Sequence, residues 1–146
     1  MKGLNLELIK YNTLHARIML FRDRNEYEML MNMSPYALDN GIGWTVIDKN
    51  VPLCFLLISI LNPSTCELHF FASYLLDKQF NHNILRLFKN VMDELSVKYG
   101  RIQATVDASN KRNIRFAEKM GLKIEGTLHQ FGMDGNDYYI MAQLNH

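Results

Sequence analysis

The chain has 146 residues, a length that suits one globular domain over residues 1–146. Hydrophobic residues make up 48% of the sequence and charged residues 21%, which predicts a normal hydrophobic core rather than a disordered chain. The formal net charge of +1 argues against a broad nucleic-acid surface, which needs clustered excess cations.

No segment has the pattern of a signal peptide or a membrane helix. Asn5 and Glu7 interrupt the apolar stretch that a signal peptide needs, and the longest apolar-rich run, 51–61, is roughly half a membrane-spanning helix. Cys54 and Cys66 lie in apolar runs, which favours small buried side chains over a disulfide. The histidines have no metal-ligand spacing, among themselves or with the cysteines. The sequence therefore predicts a soluble intracellular protein without a membrane partner or a metal site.

The first half of the chain is predicted to contain strands and two short helices. Leucines alternate with polar residues over 4–10, which predicts a half-buried strand. Apolar residues at helical spacing over 13–32 predict two helices that break near 23–25. A short strand at 43–47, a turn at 48–50, a buried strand at 51–61, a turn at 62–65 and an alternating strand at 66–74 follow.

The apolar spacing becomes helical in the second half. Residues 84–99 predict a long amphipathic helix, followed by a strand at 101–107. Ser109 or Asn110 is predicted to cap the next helix, which ends at Gly121. A strand at 122–128, a turn at 133–136 and an alternating strand at 138–144 complete the chain. This order predicts an α/β fold with a mixed sheet and helices on both faces.

The last third of the chain carries a more specific pattern. Asn110 follows a strand, Asn113 opens a helix that ends in AEKMGL, EGTL comes next, and Asp137 precedes a tyrosine-rich strand. This pattern resembles the C-terminal half of the GNAT superfamily of N-acetyltransferases, and is most similar to the branch of the ribosomal-protein N-terminal acetyltransferases. It is also similar to the GNAT-like proteins of tailed bacteriophages. The resemblance implies a mostly antiparallel sheet that splits near the fourth and fifth strands.

The resemblance also implies a phosphate loop, (Q/R)-x-x-G-x-(G/A), after the fourth strand. The corresponding stretch, 77–84, reads DKQFNHNI, and no glycine lies between Trp44 and Tyr99. Both loop glycines are missing whether the motif starts at Gln79 or at Lys78, although asparagine tolerates left-handed backbone and helix N-terminal amides still bind phosphate. The residues that would face the pyrophosphate of acetyl-CoA are Gln79, Asn81, His82 and Asn83.

The activity that the resemblance implies is acetyl transfer from acetyl-CoA to a primary amine by direct attack in a ternary complex. Such a reaction needs a base for the ammonium proton and a donor for the thioester oxygen. Glu67 is the predicted base, and His69, two residues further on, shares its strand face and can relay a proton. An ordinary polar strand face has the same pattern.

The remaining predicted cofactor contacts also follow from the resemblance. The pantetheine partners are the backbone groups of Ala72, Ser73 and Tyr74. Asn110 and Asn113 match positions that contact the cofactor, and helix capping is their alternative role. Phe116 either flanks the cofactor or packs in the core.

Two functions therefore stay open after the sequence alone. The first is an N-acetyltransferase whose partner is a small-molecule or peptide amine, in the cytoplasm. The second is a catalytically inactive GNAT-fold protein that binds a protein partner in an assembly, such as a bacteriophage virion. The degenerate phosphate loop is the feature that discriminates between them.

Overall fold

The computed structural model describes residues 6–22, 24–33, 38–76 and 78–145, which form seven strands and four helices in the described part of the chain. In chain order they are β1 (Leu6–Lys10), α1 (Thr13–Ile18), α2 (Arg24–Met31), β2 (Ile42–Asp48), β3 (Val51–Asn62), β4 (Thr65–Ala72), α3 (Lys78–Lys98), β5 (Arg101–Asp107), α4 (Lys111–Lys119), β6 (Lys123–Leu128) and β7 (Tyr138–Leu144). Asp77, which the sequence offers as a weaker candidate for the base than Glu67, lies outside the described residues.

The strands form a seven-stranded mixed sheet in the order β1-β2-β3-β4-β5-β7-β6. Neighbours β1–β2, β2–β3, β5–β7 and β6–β7 are antiparallel, and β4 pairs with β5 in parallel. The parallel ladder is short, running from Thr65 opposite Arg101 to Glu67 opposite Gln103. The predicted α/β fold with a mostly antiparallel sheet is confirmed.

Contacts within the chain divide it into two compact units, of which the first comprises Met1–Ile58 and His69–Ile84. Aromatic rings form the centre of its core. Phe55 packs against Tyr11 and Phe71 with ring centroids 5.1 and 5.0 Å apart, and Phe21 meets Phe71 edge-on at 6.2 Å. Leu30 of α2 is fully buried in the same cluster. This cluster anchors the end of β4 against β3 and the first helices.

The helix α1 begins with a reciprocal capping arrangement that involves a buried histidine. Asn12 Oδ1 accepts the Leu14 N–H at 2.9 Å, and the Asn12 N–H donates to His15 Nδ1 at 3.2 Å. Thr45 Oγ1 lies 2.7 Å from the same nitrogen. Burial lowers the pKa of His15, because the charged imidazolium is poorly solvated there. The geometry therefore favours a neutral ring that accepts hydrogen bonds.

We expect the stability of the protein to fall as the pH drops below about 6.5, the pKa of an unperturbed histidine. The unfolded chain then binds a proton at His15 that the folded chain resists, so the free energy of unfolding decreases with decreasing pH. Urea unfolding between about pH 8 and 5 of the native chain and a His15→Gln variant tests this. The variant is expected to have a shallower pH dependence, and identical slopes would contradict the assignment.

The second compact unit comprises Ser59–Leu68 and Leu85–His146. Its buried residues include Phe88 and Val91 of α3 and Ile102 of β5, and Phe88 meets Phe116 of α4 edge-on at 6.5 Å. No helix of the described residues is both long enough and apolar enough to cross a membrane.

The end of α4 confirms the cap predicted at Gly121. This glycine has a φ of +107°, which an L side chain rarely adopts. Its N–H donates to the Glu118 carbonyl at 3.0 Å, and the Leu122 N–H donates to the Ala117 carbonyl at 3.1 Å. These two bonds form a Schellman motif, which ends the helix and starts the turn into β6.

Candidate functional site

Glu67, a carboxylate on β4, is held by a side chain of the same compact unit. Gln103 of β5 stands opposite Glu67 in the parallel ladder, and its Nε2 donates to Glu67 Oε1 at 2.7 Å. No group of the described residues donates to Glu67 Oε2. The predicted base is therefore half-buried, fixed through one oxygen and able to accept a proton on the other.

The orientation of Gln103 is set by an arginine further along the same face. Arg101 Nε donates to Gln103 Oε1 at 2.7 Å, so the amide nitrogen of Gln103 must point towards Glu67. The Arg101 guanidinium also donates hydrogen bonds from both Nη atoms to the carboxylate of Glu125 in β6, at 2.9 and 2.7 Å. This bidentate pair raises the pKa of Arg101 and lowers that of Glu125. Nothing in the sequence indicated this hydrogen-bonded network of side chains, because its residues come from three different strands.

His69 lies two residues after Glu67 in β4, and both side chains are half-buried. Burial alternates as predicted from Cys66 to His69, but at the end of the strand Phe71 is buried and Phe70 is half-buried, which corrects the predicted faces of these two residues. A proton relay from Glu67 through His69 stays a prediction.

The backbone N–H groups at the end of β4 are occupied by other parts of the first unit. The Ala72 N–H donates to Glu26 Oε1 at 3.0 Å, and the Tyr74 N–H donates to the Leu20 carbonyl at 2.9 Å. The Ser73 N–H donates to the Leu53 carbonyl of β3 at 2.8 Å. Ala72 and Ser73 are 0% and 1% exposed. The donors that the resemblance assigns to pantetheine are therefore committed within the protein.

The stretch that replaces the phosphate loop is helical, which corrects the predicted start of α3 near residue 84. The helix begins at Lys78, so Gln79 lies in its first turn, where backbone N–H groups have no intrahelical acceptor. Asn81, His82 and Asn83 come later, and their N–H groups belong to the intrahelical ladder. An open loop that presents these later amides to a phosphate is absent from the described residues.

Asn110 caps α4 in the structure, as one of its predicted roles requires. Its side chain accepts the Asn113 N–H at 3.1 Å. Phe116 is half-buried and meets the Phe88 ring edge-on, with ring centroids 6.5 Å apart. Contacts of Asn110, Asn113 and Phe116 with a cofactor stay predictions.

Two carboxylates organise the loops that follow β5 and β6. Burial acts to raise the pKa of Asp107, but hydrogen bonds from Ser109 and Asn136 outweigh it and lower that pKa. The Gln130 N–H donates to Asp137 Oδ1 at 3.0 Å and, with His129, lowers the pKa of Asp137. These carboxylates fix backbone, and no cluster of three metal-ligating side chains occurs in the described part of the chain.

Comparison with solved structures assigns the fold. No protein-family model matches the sequence, and no curated protein matches it by sequence comparison. An N-acetyltransferase from Staphylococcus aureus Mu50 is similar with a TM-score of 0.73 at 16% identity, over 97% of this chain and 99% of that one. Ard1 from Thermoplasma volcanium is similar with a TM-score of 0.72 at 15% identity, over 97% and 98%.

A spermidine N-acetyltransferase from Vibrio cholerae, solved with CoA and spermine, is similar with a TM-score of 0.71 at 16% identity, over 96% of this chain and 95% of that one. Another of the similar structures is described as a GNAT-family acetyltransferase from Streptococcus pneumoniae. The chain therefore has the GNAT fold, as its C-terminal motif predicted. At these identities the likeness concerns the fold.

The described residues do not fit acetyl-CoA in the manner that the resemblance implies. The N–H groups of Ala72, Ser73 and Tyr74 already have acceptors, and the two missing glycines coincide with a helical segment. Residues 77–84 contain no glycine, the residue that lets backbone approach a phosphate closely. Binding of the cofactor along β4 therefore requires the end of this strand to exchange its hydrogen-bond partners.

Proposed function

We propose that this protein is an acetyl-CoA-dependent N-acetyltransferase that acts on a primary amine. The observation that supports it most directly is Glu67, a half-buried strand carboxylate with one oxygen fixed and the other available. The GNAT fold, shared over nearly the whole chain with N-acetyltransferases, supports the same activity. Fold alone does not define a reaction, so the carboxylate is the stronger support.

In this proposal Glu67 is the base. An amine acceptor is protonated near neutral pH and becomes a nucleophile only after losing a proton. Glu67 Oε2 takes that proton, while Gln103 holds the carboxylate in one orientation through Oε1. Acceptors to examine are small polyamines and peptides with a free N-terminus. A polyamine is included because spermine accompanies CoA in one of the similar structures.

A second candidate is a catalytically inactive GNAT-fold protein with a binding role in an assembly, such as a bacteriophage virion. The specific observation in its favour is the occupied end of β4 together with the helical start of α3. Such a protein has no need of donors for a thioester oxygen. It would be recovered from cells within a larger complex, and recovery only as a free monomer would count against it.

Titration calorimetry with acetyl-CoA separates the two candidates. The enzyme proposal predicts saturable binding to the full chain with a Kd below about 1 mM, an affinity of roughly 4 kcal/mol. Dephospho-CoA in parallel shows whether the terminal phosphate contributes. Absence of binding at millimolar acetyl-CoA would overturn the enzyme proposal and leave the binding role.

A further inference from the structure

Glu26 is a buried acid whose carboxylate hydrogen-bonds to backbone far away in the sequence. It lies in the first turn of α2 and is 7% exposed. Its Oε1 accepts the Ala72 N–H at 3.0 Å, across a separation of 46 residues. Burial of a carboxylate costs free energy unless hydrogen-bond donors surround it. The Ala72 N–H is one of the donors that offset this cost at Glu26.

The segment before α2 also hydrogen-bonds to the end of β4. The Arg22 N–H donates to the Ala72 carbonyl at 2.9 Å, and the Leu20 carbonyl accepts the Tyr74 N–H at 2.9 Å. Phe21 forms an antiparallel bridge with Ser73, and its ring packs on Phe71. Residues 20–22 therefore pair with the end of β4 as a short strand would. We call this segment, together with Glu26, the β4 clamp.

The β4 clamp provides hydrogen-bond acceptor oxygens, and a bound acyl donor would provide the same kind of atom. A carbonyl oxygen of a thioester or of an amide-containing carrier is a hydrogen-bond acceptor, as are Glu26 Oε1 and the Leu20 carbonyl. Two acceptors cannot occupy the Ala72 N–H in the same good geometry. Occupation of this amide by Glu26 and by an external carbonyl oxygen is therefore mutually exclusive.

We propose that Glu26 is an internal competitor of the acyl-CoA carbonyl at the Ala72 N–H, and that binding requires the β4 clamp to release this amide. The inference rests on the proposed function, because it names acyl-CoA as the external ligand. It explains why the predicted donors are buried in a chain with the GNAT fold.

The first test asks whether Glu26 protects the amide, and it needs no ligand. Hydrogen exchange of the Ala72 and Tyr74 amides is measured by NMR in the native chain and in Glu26→Gln and Glu26→Ala variants. Faster exchange at Ala72, with Tyr74 less affected, is expected in Glu26→Ala, because Tyr74 uses the Leu20 carbonyl instead. Unchanged exchange at Ala72 in both variants would overturn the proposal.

The second test measures acetyl-CoA affinity by calorimetry in the same proteins. Loss of a charged competitor is expected to tighten binding by about tenfold in Glu26→Ala and by less in Glu26→Gln, which keeps a neutral oxygen. Glu28→Gln is the matched control, because Glu28 lies on the same helix, is only half-buried and pairs with Arg24. The control is expected to bind as the native chain does.

The order of affinities distinguishes competition from support of the fold. If Glu26 merely supports the strand end, both variants bind acetyl-CoA more weakly than the native chain, and that result overturns the proposal. Glu26→Gln keeps an acceptor for Ala72 and answers the question if Glu26→Ala does not fold. Equal binding by native chain and variants overturns the inference but leaves the proposed function intact. Absence of binding by all folded proteins overturns both.

Discussion

Replacing Glu67 with glutamine is expected to lower the turnover of amine acetylation by about 100-fold or more, the usual contribution of a general base. Glutamine keeps an oxygen that can accept the Gln103 hydrogen bond, so the local structure should persist. It cannot take a proton from an ammonium group. Steady-state kinetics should therefore show a loss of kcat, with the Kd for acetyl-CoA close to that of the native chain.

Glu125→Gln is the matched control for this experiment. Glu125 is a strand carboxylate in the same hydrogen-bonded network of side chains, but it contacts Arg101 and not Glu67. Its replacement should change kcat by only a few-fold, through a less rigid Arg101. Full activity in Glu67→Gln would remove Glu67 as the base, and an equal loss in both variants would indicate a structural effect.

Replacing Gly43 with alanine is expected to destabilise the fold by about 3 kcal/mol or more, because the new methyl group has no room. A Cβ at this position in β2 would collide with the Leu56 carbonyl oxygen and lie 2.9 Å from Leu57 Cδ2. The colliding atom belongs to the backbone of β3, which cannot move without breaking the ladder between the two strands. Urea unfolding measures the change directly.

Gly126→Ala is the control for the glycine prediction. A Cβ at Gly126 in β6 would meet only Ile140 Cγ2, at an ordinary contact distance of 3.8 Å. Its effect on the free energy of unfolding should stay within about 0.5 kcal/mol. Similar losses in the two variants would show that the cost at Gly43 does not come from the close approach of β2 to β3.

The features that the sequence predicted well are local ones. Asn110 caps α4 through an N–H three residues away, and Gly121 ends the same helix through its own positive φ. The helical spacing of apolar residues in α3 likewise depends on near neighbours. The alternation predicted for β7 is wrong, because Met141 and Ala142 are both buried and Leu144 is exposed. These signals were sufficient to predict the α/β fold and the GNAT-like order of elements.

The start of α3 was predicted too late for an equally local reason. Regular apolar spacing begins at Ile84, whereas the preceding residues, from Lys78, are mostly polar. A helix start depends on backbone hydrogen bonding and capping, and polar residues add little to an apolar pattern. The missing glycines indicated that the phosphate loop is degenerate, but they gave no indication that the stretch is helical.

The sequence by itself determined the elements, their order and the presence of a carboxylate at position 67 of a strand, because each depends on residue type and short-range spacing. The absence of glycine between Trp44 and Tyr99 belongs to the same class of information. Only the tertiary structure decided which groups occupy the β4 amides and how Glu67 is held. The bonds from Ala72 to Glu26 and from Gln103 to Glu67 join residues 46 and 36 positions apart. Such pairs form only when packing of the core brings distant segments together, so no local pattern contains them.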